Sequence, residues 1–283
     1  MTMKRGPSNW RLKTRIFGGF AAIGLAGFTL TVLLGLTIHN IHSDFQRLVS
    51  ISQRAELGGE VSSQMIELQR LSGDYVNAGG SFAAGQTELV FERASGLLDE
   101  LRREAGPAVR ERAARMQGHL DSFHGAFVEV ERQREAQSRL KNEIIGARAD
   151  DYERLLAQYE AAVPPSQPAR LATLERLRNA ALRIQKHSQG YFDSLDNAHI
   201  RQISREVRDS RELLGDMAAK SIADKAGLAA DMERALTDYR NAILEAVQLT
   251  RGYLHLVNVV MAAETYEVLY QSDRLTEDLS GQV

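Results

Sequence analysis

Arginines recur on the apolar faces of this chain. In its last long helical stretch, positions 236, 240, 243, 247, 250, 254, 257, 261, 264, 268, 271 and 275 alternate spacings of four and three. They read Leu, Arg, Ile, Val, Thr, Leu, Val, Met, Glu, Val, Gln, Leu. Arg240 and Thr250 thus interrupt an apolar heptad seam, with Tyr239 and Arg251 beside them. Further up the chain, Arg178 shares a helical face with Leu171, Leu174 and Ala181, and Arg183 and Lys186 flank it. A cation half-buried in a seam must be matched by a partner, because an unpaired charge in low dielectric is costly. The planar guanidinium fork matches a carboxylate through two parallel bonds. Such an arginine either pairs with a neighbouring Glu or snorkels to solvent, or it binds an anion, and at least one of these clusters is expected to do the last.

Other chemistries find no residues to carry them. The chain has no cysteine, which removes thiol nucleophiles, disulfides and thiolate metal sites. Its seven histidines form neither an HExxH nor a Glu-x-x-His pattern. His119 and His124 lie five residues apart, about 140° around a helix, so they cannot share one metal on one face. No glycine-rich phosphate loop and no G-x-S-x-G is present. Lys plus Arg number 35 against 37 Asp plus Glu, a net charge of −2, which lacks the basic excess of a nucleic-acid binder. The expectation is no enzyme, no cofactor and no metal.

The elements that must position the arginines are helices. Proline is scarce, and Ala, Leu, Arg, Glu and Gln are abundant. Strong breaks fall at Gly79-Gly80, Gly106-Pro107 and Pro164-Pro165-Ser166-Gln167-Pro168, and weaker ones near 193–198 and 219–224. Cutting there predicts helices at 42–78, 82–105, 107–161, 168–195, 199–219 and 222–280, with no strand. The third and sixth are about twice as long as most of the others. If direction reverses at each break, the fold is all-α: two stacked four-helix bundles built from six helices, two of them long and shared. The third helix shows a seam through Val109, Ala113, Met116, Leu120, Phe123, Phe127 and Val130. It then crosses the polar stretch 132–139, and the seam resumes out of phase at Leu140, Ile144, Leu155 and Tyr159. A phase slip there predicts a joint between bundles. A weak repeat agrees: 50–78 laid on 166–194 matches Ser50/Ser166, Arg54/Arg170, Gln69/Gln185, Ser72/Ser188 and Tyr75/Tyr191.

Before these helices, residues 16–38 are uncharged. As a helix that run is about 34 Å long, enough for a hydrocarbon core of about 30 Å. Lys4, Arg5, Arg11, Lys13 and Arg15 precede it, and no acid lies among residues 1–15. The expectation is an uncleaved single transmembrane helix in the inner membrane, residues 1–15 cytoplasmic and 39–283 periplasmic. Helix rise then matches heights. Arg183 and Lys186 lie 15 and 18 residues into the fourth helix, Tyr239 and Arg240 17 and 18 into the sixth. Both pairs are about 22–27 Å from the top. Arg70 and Arg251, counted from the base, agree within about 6 Å.

The stretch TRGYLHLVNVVMAAETYEVLY at 250–270 and the opening WRLKTRIFGGFAAIGL resemble segments of methyl-accepting chemotaxis proteins. With the predicted topology, residues 39–283 resemble a helical bimodular sensor domain, its proximal module about 42–134 plus 250–283 and its distal module about 135–249. The resemblance implies a periplasmic homodimer that binds small organic acids through arginines on the bundle helices. Carried over by position, it implies a proximal site with Arg251 and Thr250, joined by Arg70 and Arg54, and a distal site with Arg183, Lys186, Tyr239 and Arg240. Ala263 departs from the Gly expected there. No second span, relay helix pair or cytoplasmic signalling hairpin follows Val283, so the expectation is a fragment or a sensor that cannot signal alone. The alternatives are the input region of a sensor histidine kinase and a membrane-anchored structural or adaptor protein with no ligand.

Overall fold

The structure, a computed structural model, describes the backbone of residues 8–103, 106–219 and 223–280. It describes side chains at 17, 18, 28, 45, 46, 48–103, 106–219 and 227–279. The fold is all-α, with no strand among the described residues. Helix α1 spans Ser8–Ala78, α2 Ser81–Arg103 and α3 Pro107–Arg139. A π-helical turn at Leu140–Ile144 continues α3 into α4, Ile145–Ala161. After the proline-rich break come α5, Pro168–Ser194, and α6, Asn197–Ala219. Helix α7, Ala223–His255, passes through a second π turn, Leu256–Met261, into α8, Ala262–Ser280. Proline opens α3 and α5 at the first helical position, where its missing N–H has no partner to lose.

Most of the predicted transmembrane run lies outside the described side chains. Among the described residues no helix is long and apolar enough to cross a membrane. The backbone of 16–38 belongs to α1, so the predicted span and first outer helix are one element. Helix ends predicted at 105 and 222 also fall outside the described residues.

The helices pack in two sets around two cores. In one, α1 meets α2 and α8, and α3 meets α2, α8 and the second π turn. Its interior holds Met65, Leu68, Leu98, Met116, Leu120, Phe123, Phe127, Met261 and Val268. In the other, α4 meets α5 and α7, and α6 meets α5 and α7. There the interior holds Tyr152, Leu156, Leu177, Ile184, Val207, Leu214, Met232, Leu236, Tyr239 and Ile243. On the α3–α4 rod the first core ends at Val130 and the second begins at Leu140. The π turn at Leu140–Ile144 sits at the phase slip read from the sequence. A π turn takes one more residue than an α turn, which rotates the following seam by about 100°.

A constant offset relates the two halves of the chain. Helices α2 and α6 both have 23 residues and begin at 81 and 197; α3 and α7 both have 33 and begin at 107 and 223; the π turns begin at 140 and 256. Each shift is 116 residues, the same offset that joins 50–78 to 166–194. Burial follows it: Leu68/Ile184, Ser72/Ser188, Leu98/Leu214, Met116/Met232, Leu120/Leu236, Phe127/Ile243 and Tyr159/Leu275 are buried in pairs. The last helix of each half packs with the other half: α4 packs on α5 and α7, while α8 packs on α1 and α3.

The equivalent turns differ in their chemistry. Gly79 closes α1 at φ 69°, and Leu195 closes α5 at φ 56°, each donating its N–H to the carbonyl of Tyr75 or Tyr191 four residues back. Glycine tolerates that left-handed conformation; a leucine Cβ does not, at roughly 1–2 kcal/mol. Leu195 is 45% exposed, so its packing contributes little. Leu195→Gly is therefore expected to stabilise the protein by about 1 kcal/mol in urea unfolding monitored by circular dichroism.

Candidate functional site

Most of the predicted cations already have partners. Arg183 donates Nε and Nη2 to the two carboxylate oxygens of Glu206 on α6, both at 2.8 Å, and is half exposed. Glu206 holds the guanidinium pKa above its ordinary value. Lys186 is exposed on the same helix. Arg240 reaches only its neighbour Asn241, at 3.5 Å. Arg70 is exposed and clasped on its own helix by Glu67 and Asp74, and Arg54, half-buried on α1, is also engaged. Arg251 is exposed and donates to the side-chain oxygen of Asn197, at the start of α6. Thr250 is buried, and its hydroxyl donates back to the carbonyl of Ala246.

The height-matched pairs therefore do not meet as expected. Arg183 and Tyr239 share no bond, and neither do Arg70 and Arg251. Height along an axis says nothing of direction around it. Arg183 lies one residue from buried Ile184, about 100° off the core face of α5 and toward α6. Arg251 belongs to the turn between α5 and α6 through Asn197, away from Arg70. Strict heptads also misplace part of the last seam. Tyr239, Tyr253 and Thr265 are buried where the pattern put Arg240, Leu254 and Glu264. Around the second π turn, buried Tyr253, Val257, Met261 and Thr265 run in three spacings of four.

Unpaired donors occur instead in and beside the second core. Tyr152 on α4 and Tyr239 on α7 are each 1% exposed, and neither hydroxyl has a hydrogen-bond partner. Burial pushes the Tyr239 phenol up to about 12, and burial with Glu153 nearby raises Tyr152 as well. Arg211 on α6 donates Nη2 to Thr237 Oγ1 at 2.7 Å. Its buried Nε has no partner. Thr237 and Tyr239 are two residues apart on α7, a rise of about 3 Å but about 200° around the helix, so the Arg211 contact lies on a different face of α7 from the Tyr239 ring. The equivalent positions in the first core carry no such demand: Phe123 stands for Tyr239, Val268 for Tyr152 and Ser95 for Arg211, and Ser95 bonds Gln117.

Two surface grooves follow the α4–α7 seam from which these tyrosines point inward. One, of about 370 Å³, lies between Arg139, Ile144 and Arg148 on one side and Asp238, Asn241 and Glu245 on the other. The next, of about 230 Å³, sets Arg148, Asp151 and Arg154 against Asp231, Arg234 and Asp238. Arg139 and Arg148 stand at the first π turn and just beyond it. No group of three or more His, Asp or Glu side chains able to hold a metal occurs among the described residues.

Sequence reading missed Tyr152, Arg211 and the second π turn. Tyr152 lies outside the predicted seam of Leu140, Ile144, Leu155 and Tyr159, and Arg211 sits in a run of ordinary surface charges, RDSRE at 208–212. Matching the halves at 116 residues would have exposed both, because each replaces a residue of different polarity. No protein-family model matches the chain, and no curated protein matches it either.

Proposed function

We propose that this chain is the ligand-sensing region of a bacterial transmembrane chemoreceptor, anchored by residues 16–38, with the second core receiving a small organic acid. The observation that carries the reading is the set of unpaired, buried donors Tyr152 Oη, Tyr239 Oη and Arg211 Nε. A buried donor without an acceptor costs about 1–3 kcal/mol; one carboxyl of an acid entering the α4–α7 seam supplies acceptors for the phenols, and a second carboxyl reaching the α6–α7 side supplies one for Arg211. Arg211 adds the charge that a buried anion requires. A carboxylate reaching the two phenols parts α4 from α7 along the grooves, and Arg139 and Arg148 draw it there.

The response has a mechanical route. Helix α7 runs through its π turn into α8, which packs on α1. Ser272 donates to the carbonyl of Gly58 at 2.8 Å, and a side chain at Gly58 would crowd Leu275 at 3.2 Å. A ligand with different affinity for two packings of α4 on α7 shifts α8 against α1. The ligand-free structural reading rests on the pairing of Arg183, Arg70 and Arg251 with neighbours, which leaves those arginines a purely structural role.

The test has two arms. Thermal melts of the purified full chain against a panel of mono- and dicarboxylates should show one or more stabilising acids; a flat panel favours the structural reading. An alkaline phosphatase fused after Val283 should be active in a bacterial host and a cytoplasmic reporter silent there. The reverse pattern removes the membrane topology.

A further inference from the structure

We propose that His187 on α5 and His199 on α6 form a binding site for one divalent transition-metal ion of the zinc, nickel and copper class. Their Nδ1 atoms are 3.1 Å apart, and the rings lie 5.4 Å centre to centre at 45°. Two nitrogens bound at about 2.0–2.1 Å to one ion, at angles between square and tetrahedral, lie about 2.8–3.4 Å apart. The pair is thus already at the bite distance of a chelate.

The backbone is shaped to permit this approach. A Cβ at residue 190 would sit 2.6 Å from His199 Cε1, so Gly190 is what lets the ring lie against α5. The turn that fixes the two helices is held by the Leu195 N–H bond to Tyr191 O and by Asp196, whose carboxylate accepts the Ala198 N–H at 2.7 Å. His187 and His199 are each six residues from Asp193, so the hairpin itself brings them level. The other paired histidines have a different partner. His119 meets Glu264 at 2.7 Å and His124 meets Glu88 at 2.8 Å, base with carboxylate. His187 and His199 instead share a hydrogen bond between their Nδ1 atoms, one ring donating and the other accepting, and a metal ion bound between them would take the place of that shared proton, which is released.

Donor type selects the ion. Two imidazoles suit zinc, nickel and copper, whereas magnesium and calcium want oxygen. The carboxylate of Glu206 is engaged by Arg183, and no third protein ligand joins among the described residues. The remaining positions are left to water or an incoming carboxylate.

Calorimetry of the full chain with zinc, nickel and copper chlorides, in a non-coordinating buffer at neutral pH, tests the site. Wild type should bind one ion saturably and melt at a higher temperature with it. His187→Gln and His199→Gln should each weaken binding by at least about 100-fold, while His119→Gln and His124→Gln leave it unchanged. Copper bound to wild type should show nitrogen couplings of two imidazoles in its electron paramagnetic resonance spectrum. Circular dichroism checks that each variant stays helical. Absence of saturable binding below about 1 mM ion, or binding that survives both His187→Gln and His199→Gln, overturns the proposal.

Discussion

Tyr239→Phe should make the protein more stable and less responsive to its ligand. Removing a buried hydroxyl that has no acceptor relieves about 1–3 kcal/mol at neutral pH, since the ring keeps its packing. The same change, alone or with Tyr152→Phe, should weaken binding of the stabilising acid by about 10- to 100-fold, the worth of one hydrogen bond to a charged acceptor. Stability and affinity moving in opposite directions separates a site from a merely imperfect core. The alkaline limb gives an independent check. The Tyr239 phenol is raised to about 12 in the folded protein from 10.0. Its contribution is therefore fully present below pH 10 and is lost as pH rises toward 12. Over that window wild type should lose about 2–3 kcal/mol that Tyr239→Phe does not. Melts at pH 7 and pH 11 should already show about half of it, about 1.4 kcal/mol. Equal alkaline losses in both proteins, or unchanged affinity in the Phe variants, would remove Tyr239 from the site.

Arg211→Ala should cost the most affinity of any arginine replacement. Truncating a cation that faces a buried carboxylate costs about 2–5 kcal/mol in binding, a loss of about 30- to several-thousand-fold. Arg211→Lys should also fail in large part, since one ammonium cannot reproduce the fork. Arg183 provides the contrast. Glu206 already occupies its fork, so Arg183→Ala should change affinity little and stability by no more than about 1 kcal/mol, its head being half exposed. If the ligand instead displaces Glu206, Glu206→Gln tightens binding and Arg183→Ala abolishes it. Calorimetry on the three variants decides which arginine meets the acid, and an affinity unchanged by Arg211→Ala refutes its role.

How much of this was legible in the sequence depends on what each feature is made of. Helix positions follow from glycine and proline breaks and from apolar periodicity, so 107–161 and 168–194 emerge nearly to the residue. The first π turn leaves a trace because it throws the seam out of phase beside a polar stretch. The second does not, because Val257 and Met261 continue an apolar run whichever way the turn is wound. Site residues read worse. A cation in a seam announces a need for a partner, and Arg183, Arg70 and Arg251 found theirs in Glu206, in Glu67 and Asp74, and in Asn197. The donors left unpaired are Tyr239, which the sequence does single out but beside the wrong partner, Tyr152, which it does not, and one arginine among many. Which polar atom goes unsatisfied is decided by neighbours across three helices, and no local pattern encodes that.

The exchange of α4 and α8 between the halves has a historical consequence. A chain of about half this length, ending in the equivalent of α4, would complete its core only by lending that helix to a second copy and borrowing one in return. Such an ancestor would have been an obligate symmetric pair with two identical interiors, and any polar change made in one would appear in the other. If the chain arose by joining two such copies, the loop at 164–167 released that constraint. Phe123 could stay while its counterpart became Tyr239, and Val268 could stay opposite Tyr152. One interior was free to lose its perfect packing and acquire unmet polar demands while its twin kept the fold intact.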